Sequence, residues 1–229
     1  MKTSSLVGMA LVWVLSWGAI SQAQAPAPAV PSTGELKPIV LDPPDVSKGE
    51  PVLKALKERK STRELTEAKL SSKQLSELLW AADGVNRAGG NRTAPSAHAK
   101  YPVDIYVVLP EGVYLYEPAK HQLVPVVSGD HRKQAGGTDW EITAPVNLIY
   151  VADFARFDDP KLGNVSRDDR LKWSAIEAGC MAQSTYLYCA SAGLGATVRV
   201  SATTENFGKA VPLRPTQAVL CGQTIGVPK

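Results

Sequence analysis

The stretch that decides the fold runs from Arg167 to Ala192, reads RDDRLKWSAIEAGCMAQSTYLYCASA, and is followed at once by Gly193. Apolar side chains recur along it at helical spacing, as is typical of a helix with one face in a core. They include Trp173, Ile176, Cys180, Leu187 and Ala190. Glycine directly after the last turn is a common helix end. The sequence therefore predicts one long helix here, at the centre of the fold.

Strand-like runs rich in Val, Tyr and Ile lie on both sides of this predicted helix. Two helices come first, one starting at Pro51 and one that starts with the capping-box sequence Ser71–Gln74 and ends at Gly84. The predicted strands are residues 103–109, 113–116, 123–127, 145–151, 196–200 and 217–220, with a hairpin turn at Glu111–Gly112 and a short helix at 203–209. This order predicts an α+β sandwich in which helices pack on a mainly antiparallel sheet.

The N-terminus has the features of an export signal. The chain has 229 residues, of which 44% are hydrophobic and 21% charged, as is ordinary for a globular protein. Lys2, the apolar run Leu6–Ile20 and the small residues Ala23–Ala25 indicate a signal peptide at residues 1–25. The alternative, a membrane anchor, needs about 20 apolar residues. We therefore expect an exported protein, periplasmic or secreted, with no membrane span after cleavage at Ala25.

Residues 26–50 are dominated by prolines and small residues, which predicts an extended linker that buries no apolar surface. The alternative is a segment that wraps a partner subunit. The folded domain is then predicted at residues 51–229, a length that suits one domain with its own core. Removal of residues 1–25, which carry a single Lys, lowers the net charge from +3 to +2. Such a weak positive charge argues against nucleic acid as a partner.

The three cysteines, Cys180, Cys189 and Cys221, cannot all pair within one exported chain. Cys180 and Cys189 are nine positions apart in the predicted long helix, so they lie about 13 Å apart along its axis. We expect buried, structural thiols. A disulfide is compatible only with Cys221 and one of the other two.

No spacing of residues indicates a nucleophile or a metal site. His98, His121 and His131 are isolated, and no Cys/His or carboxylate pattern fits a zinc or calcium site. The sequence also lacks a Gly-x-Ser-x-Gly elbow, a P-loop and a dinucleotide fingerprint. Any chemistry must therefore come from a bound cofactor.

The strongest candidate for cofactor binding is Arg59-Lys60-Ser61-Thr62-Arg63. In an extended chain, Arg59, Ser61 and Arg63 would project to one side. Two guanidinium groups and one hydroxyl suit a phosphate monoester. The alternative is a solvated basic helix end, which the helix dipole also favours.

Two further segments are weaker candidates. The segment Arg92-Thr93-Ala94-Pro95-Ser96-Ala97-His98 follows the flexible stretch Ala88-Gly89-Gly90, and its small residues with one proline can lie flat against a planar ligand or form an ordinary surface loop. Gly193-Leu194-Gly195 leads into Thr197-Val198-Arg199. A helix cap explains Gly193 without any ligand.

Taken together and in order, these segments resemble the nitroreductase family. The likeness consists of Arg-x-Ser-x-Arg at 59–63, Leu-Leu-Trp-Ala-Ala at 78–82, Ala-Pro-Ser at 94–96, the helix at 179–191 with Gln183, Gly-Leu-Gly at 193–195 and a terminal strand at 222–226. It covers about residues 51 to 229. The wording Arg-Thr-Ala-Pro-Ser, at 92–96, is most similar to the branch that contains azoline (thiazole/oxazole-forming) dehydrogenases.

The resemblance implies an FMN-binding α+β homodimer with two flavin sites at the subunit interface. Carried over by position, Arg59, Ser61 and Arg63 would hold the FMN phosphate and ribityl chain, Pro95 and Ser96 would line the isoalloxazine ring, and Val198 and Arg199 would lie near the reactive edge of the flavin. The chain departs from the pattern at Ala99, where many members carry Asn. An amide contact is therefore missing or supplied elsewhere.

An enzyme of this kind transfers two electrons through flavin N5, between a reductant such as NAD(P)H and a small organic acceptor such as a nitroaromatic or a quinone. Arg199 is the candidate cation for stabilising the reduced flavin. One alternative is an exported flavin- or ligand-binding module without turnover. Another is a purely structural exported protein.

Overall fold

The computed structural model describes residues 36–229, and its main feature is one seven-stranded sheet. The strands are β1 (Ile39–Val40), β2 (Val103–Leu109), β3 (Gly112–Glu117), β4 (Gln122–Ser128), β5 (Val146–Asp153), β6 (Gly195–Arg199) and β7 (Gln217–Gly226). They are hydrogen-bonded in the order β1-β4-β3-β2-β5-β7-β6, and all these neighbours are antiparallel. The predicted α+β fold with a mainly antiparallel sheet is confirmed.

Helices cover both faces of the sheet. They are α1 (Val52–Glu58), α2 (Ser72–Asp83), α3 (Arg132–Ala135), α4 (Asp139–Thr143), α5 (Arg167–Ser191) and α6 (Thr204–Gly208). On one face, α5 packs against α2 and α1 and against the larger of two core clusters. The short helices α3 and α6 pack against the smaller cluster on the other face. Alternate residues of each strand therefore enter different cores.

The predicted central helix is confirmed as α5, 25 residues long. Ser166 caps its start, because the Ser166 side chain accepts a hydrogen bond from the backbone N–H of Asp169. Gly193, with φ of 68°, follows its end in the left-handed conformation that glycine adopts without strain. At about 1.5 Å per residue the helix is about 37 Å long, so it passes across much of the sheet.

The other local signals also place elements correctly. Ser71 and Gln74 form the predicted capping box of α2, and the helix ends at Gly84. The predicted hairpin joins β2 to β3, although its turn consists of Pro110 and Glu111 and Gly112 already belongs to β3. The sequence analysis missed α3, α4 and β1, and β7 is longer than the predicted strand at 217–220.

The prediction that residues 26–50 bury no apolar surface is wrong for the part that the structure describes. β1 pairs with β4 at the edge of the sheet, and the side chain of Leu41 is buried. The reason is a run of three apolar residues, Ile39–Leu41, between Pro38 and Pro43. Proline is tolerated at a sheet edge because one side of an edge strand needs no ladder hydrogen bond. Packed structure thus begins upstream of Pro51.

The predicted signal peptide, residues 1–25, and the first part of the predicted linker lie outside the described residues. Within residues 36–229, no helix is both long enough and apolar enough to cross a membrane.

All three cysteines are free thiols. Cys189 is buried, as expected, whereas Cys180 and Cys221 are half-buried. Burial raises the pKa of the Cys221 thiol to about 11 and also raises the pKa of Cys189 well above its usual range. The thiols of Cys189 and Cys221 are therefore poor nucleophiles.

Candidate cofactor site

The basic segment Arg59–Arg63 leaves α1 and runs in extended form beside β6. Its Thr62 N–H donates to the Ala196 carbonyl at 2.9 Å, and the Thr197 hydroxyl donates to the Thr62 carbonyl at 2.8 Å. Ser61 and Ala196 form a parallel bridge. The segment is therefore held against the edge strand of the sheet, and the predicted extended conformation is confirmed.

Gly195 explains how the basic segment can approach β6 so closely. A Cβ atom at this position would lie 2.7 Å from Leu65 Cδ2 and 3.0 Å from Thr62 Cβ. These distances are shorter than side-chain packing allows, so only glycine fits without movement of the segment. The Gly193–Gly195 turn therefore has two roles, the helix end at Gly193 and this close approach at Gly195.

Tyr186 on α5 brings three of the predicted site residues together. Its hydroxyl oxygen lies 2.9 Å from Ser61 Oγ and accepts a hydrogen bond from the Val198 N–H at 2.7 Å. The guanidinium carbon of Arg59 lies 5.2 Å from the centre of the Tyr186 ring, within cation–π range. Arg59, Ser61 and Val198 thus converge on one buried phenol.

The cations of this segment are not neutralised by neighbouring acids. Among residues 36–229, the side chains of Arg59 and Arg63 form no salt bridge with any carboxylate. Arg59 is half-buried, and Ser61 and Arg63 are exposed. The segment therefore offers two guanidinium groups and a hydroxyl that can bind an anion.

A groove of about 290 Å³ begins beside Tyr186 and follows α5. One wall consists of residues of α5 with small side chains or none, Ala175, Ala178, Gly179 and Ala182. Val198, Leu220 and Cys221 form the opposite wall, on β6 and β7. Small side chains leave room for a planar group between the helix and the sheet edge.

Pro95 and Ser96 are not part of the Tyr186 cluster. Their loop packs beside the first half of α5, where the ring of His98 lies 5.3 Å from that of Trp173. The Ser96 hydroxyl oxygen accepts a hydrogen bond from the Tyr101 N–H at 2.7 Å. His98, Ala99 and Tyr101 all have positive φ, near 50°. Such backbone strain in residues other than glycine is found most often at functional sites.

Two buried carboxyl groups lie close to this loop. Glu177 on α5 and Asp83 on α2 are each almost completely buried. Within the described part of the chain, both oxygens of Glu177 and one oxygen of Asp83 lack a hydrogen-bond partner, while the other Asp83 oxygen accepts from Arg92. Burial raises the pKa of each carboxyl to about 7. Near neutral pH each of these two carboxyls is therefore only partly ionised.

Arg199 points away from the Tyr186 cluster. It follows Val198 in β6, so its side chain enters the opposite face of the sheet. There its guanidinium donates to the Ala135 carbonyl at 2.6 Å and to Asn147 Oδ1 at 2.7 Å. The structure therefore places Val198, but not Arg199, beside Arg59 and Ser61.

Tyr186, on which the cluster depends, was not among the site residues predicted from the sequence. A tyrosine among apolar helix residues looks like an ordinary core residue. Its contacts are made with segments that are distant in sequence, and no local pattern encodes them.

The model of the nitroreductase family matches residues 56–227. The chain belongs to the nitroreductase family. Nitroreductases typically bind flavin and are oxidoreductases.

Individual nitroreductase relatives agree with this assignment. A Methanocaldococcus jannaschii protein whose name places it among the nitroreductases is 36% identical over 158 residues, which cover 65% of this chain and 77% of that protein. The crystal structure of a Ralstonia eutropha protein, also named as a nitroreductase, has a TM-score of 0.78 at 41% identity and covers 91% of this chain and 96% of its own.

A more distant match is the Escherichia coli microcin synthetase McbBCD complex, with a TM-score of 0.64 at 23% identity, covering 75% of this chain and 70% of the other. It shows a shared fold. Membership of the azoline dehydrogenase branch stays a prediction.

Proposed function

We propose that this nitroreductase-family protein is an FMN-dependent oxidoreductase that transfers two electrons from a reductant to a small organic acceptor such as a nitroaromatic or a quinone. The family supports flavin-dependent oxidoreduction in general. The observation that carries the finer proposal is the meeting of Arg59, Ser61 and Val198 at Tyr186, next to a groove lined by small side chains.

The donors of this cluster fit the phosphate of FMN. A phosphate monoester carries two negative charges near neutral pH and several acceptor oxygens. Arg59 and Arg63 carry guanidinium groups without a carboxylate partner in the described residues, and Ser61 adds an exposed hydroxyl. Charge-assisted bonds of this kind are the strong ones in proteins. These residues would hold the phosphate and the start of the ribityl chain.

The groove beside α5 fits a flat ring system. Ala178, Gly179 and Ala182 leave space along the helix, and Val198 would contact the ring from the sheet side. FMN, when bound, supplies hydride and electron transfer at N5. The residues of this chain bind it, orient it and exclude water from one of its faces. Pro95 and Ser96 are proposed to line the ring as well.

We propose that the protein is a homodimer. Ser96 lies near Glu177, which is nine positions before Tyr186 in α5, a distance of about 13 Å along the helix axis. A second copy would bring its own Pro95–Ser96 loop to the Tyr186 cluster. Three apolar side chains of α1 and α5 are exposed and available for such an interface, namely Leu53, Leu56 and Ile176. Light scattering of the purified protein tests this proposal, and a monomer at micromolar concentration would contradict it.

We also propose that the protein is exported and cleaved after Ala25. The support is the N-terminal sequence alone, with its charged start, short apolar run and small-residue exit. The test is the mass of the protein recovered from the periplasm or the medium. It should match a chain that begins at Pro26. Recovery of the full-length chain from the cytoplasm would overturn export. NAD(P)H is the proposed reductant in vitro; a different donor would be needed where nicotinamides are scarce.

A visible spectrum tests the central proposal. Mature protein purified in the presence of FMN should be yellow, should bleach with dithionite or NADH, and should regain its colour with a nitroaromatic or a quinone. Colour that no acceptor restores after reduction would indicate a flavin-binding module without turnover. A colourless protein after FMN addition would contradict flavin binding altogether.

A further inference from the structure

Tyr186 connects parts of the proposed cofactor site that come from different regions of the chain. Its side chain is 7% exposed and belongs to the larger core cluster. Yet its hydroxyl contacts Ser61 on the basic segment and Val198 on β6, and its ring contacts Arg59 at the end of α1. A tyrosine that served only as packing would need one hydrogen-bond partner for its hydroxyl. This one contacts two.

The Tyr186 hydroxyl has a fixed role in one contact and a free role in the other. The Val198 N–H can only donate, so the Tyr186 oxygen accepts from it. In the contact with Ser61 Oγ, at 2.9 Å, either hydroxyl can donate, and the phenol hydrogen is available for this contact. When Ser61 accepts this hydrogen, its own hydroxyl hydrogen is directed elsewhere and is available to an anion. Tyr186 thereby sets the direction in which Ser61 donates.

The contact with Arg59 has a similar effect. A guanidinium group held over an aromatic ring keeps its five N–H donors at its planar edge. In the described part of the chain, none of the side-chain N–H groups of Arg59 is used in a hydrogen bond or an ion pair. The ring therefore fixes the position of the charge and leaves its donors free for an anion.

We propose that Tyr186 is a positioning residue for the FMN phosphate. It directs the Ser61 hydroxyl and the Arg59 guanidinium toward the phosphate and ties both to Val198, where the ring system would begin. This inference rests on the proposed function, since it assigns a role within the same site. It predicts that the phenol oxygen matters for FMN and not for flavins that lack the phosphate.

The test is Tyr186→Phe, which removes only the phenol oxygen. The binding of FMN and of riboflavin, which has no phosphate, is measured by quenching of flavin fluorescence for the wild type and the variant. We expect FMN binding to weaken about tenfold, the scale of one lost hydrogen bond to a charged complex, while riboflavin binding changes by less than about twofold. The selectivity for FMN over riboflavin should therefore fall.

Tyr188→Phe is the matched control. Tyr188 lies on the same helix, and its hydroxyl donates to Glu77 at 3.1 Å, away from the basic segment. This variant should keep the selectivity of the wild type. Equal losses of FMN and riboflavin binding in Tyr186→Phe would indicate a general packing role and overturn the proposal. So would unchanged binding of both flavins.

A double variant tests whether Tyr186 acts through Ser61. If it does, Tyr186→Phe should weaken FMN binding much less in a Ser61→Ala background than in the wild type, because the partner is already gone. Fully additive losses would overturn this route. Failure of the wild type to bind FMN would instead overturn the proposed function, and the role of Tyr186 with it. Thermal unfolding of each variant verifies that the fold is retained.

Discussion

Arg199 and Glu141 face each other in the interior, with 3.8 Å between Arg199 Nε and Glu141 Oε1, on the sheet face opposite Val198. Neither side chain is more than 5% exposed. Glu141 also accepts hydrogen bonds from the Gly137 N–H and the Ser201 hydroxyl, while Arg199 donates to Asn147. The pair is therefore fully enclosed in a polar network that joins β6 to the loop between α3 and α4.

Replacement of Arg199 by Ala should destabilise the fold strongly. It would leave Glu141 buried without its countercharge, which costs about 3 to 5 kcal/mol of unfolding free energy. Urea denaturation measures this loss. Arg63→Ala is the control, since Arg63 is exposed, and it should change stability by less than about 0.5 kcal/mol. Equal stabilities for the two variants would contradict the structural role of Arg199.

The hypothesis that Arg199 stabilises reduced flavin needs a test that is separate from the stability measurement. If Arg199 acts on the flavin, the FMN-loaded Arg199→Ala variant should have a lower midpoint potential than the wild type. The burial of Arg199 in an internal network favours the structural role instead. An unchanged potential at normal FMN occupancy would remove the electrostatic assignment.

Arg59→Ala should weaken FMN binding by about 2 to 3 kcal/mol, the cost of losing a hydrogen bond between charged groups. The physical reason is the position of its guanidinium over Tyr186, beside Ser61. Isothermal titration with FMN measures the change. Arg167→Ala removes an exposed arginine at the start of α5 and should bind FMN like the wild type. Wild-type affinity in Arg59→Ala would refute the phosphate assignment.

Gly195→Ala should disturb the basic segment although none of the residues of that segment is replaced. The added methyl group would meet Leu65 at 2.7 Å and Thr62 at 3.0 Å, an overpacking that costs about 1 to 3 kcal/mol. Because Thr62 is next to Ser61, FMN binding should weaken as well. Gly208→Ala is the control, since no heavy atom lies within 4 Å of its added Cβ. A loss of stability and affinity in both variants alike would contradict this explanation.

Stability should depend on pH through Glu177 and Asp83. Burial raises the pKa of both carboxyls to about 7, whereas carboxyls of an unfolded chain titrate near 4. The folded state therefore holds protons that the unfolded state has lost. The contribution of these two carboxyls to stability should be greatest below pH about 4 and should fall as the pH rises toward about 7, by about 1.4 kcal/mol per pH unit for each retained proton.

Glu177→Gln tests this dependence because the amide is neutral at every pH. Urea unfolding across the same pH range should show a shallower decline than in the wild type. Glu67→Gln, at an exposed carboxyl, should leave the wild-type slope unchanged. Identical slopes in all three proteins would show that Glu177 does not retain its proton in the folded state.

Much of the fold was accessible from local sequence signals. The capping box at Ser71 and the glycine after α5 act within one helical turn, and both predicted the helix ends that the structure shows. The continuous apolar run of β5 predicted a buried strand without knowledge of the neighbouring strands, and β5 is buried along its whole length. By contrast, β1 consists of two residues, and its pairing with β4 depends on residues some 80 positions away.

The candidate site was accessible only in part. The composition of the basic segment indicated a phosphate ligand, and its extended form is confirmed. Successive side chains of a strand point to opposite faces of the sheet, so Val198 and Arg199 could have been assigned to different faces from the sequence. The prediction that both lie near the flavin did not take this into account. The contacts of Tyr186 could not be predicted at all, because they depend on how α5 lies over β6.

The chain directly after the basic segment is hydrogen-bonded to the residues that follow β7. Thr66 donates to the Val227 carbonyl at 2.8 Å, and the Lys229 N–H donates to the Glu64 carbonyl at 3.0 Å. A chain whose β7 has not yet been synthesised has the arginines but lacks the residues that hold this part of the chain in place. Binding of the proposed coenzyme would therefore follow the pairing of β7. If the protein is exported as we propose, the supply of free FMN outside the cytoplasm would determine how much of it becomes active.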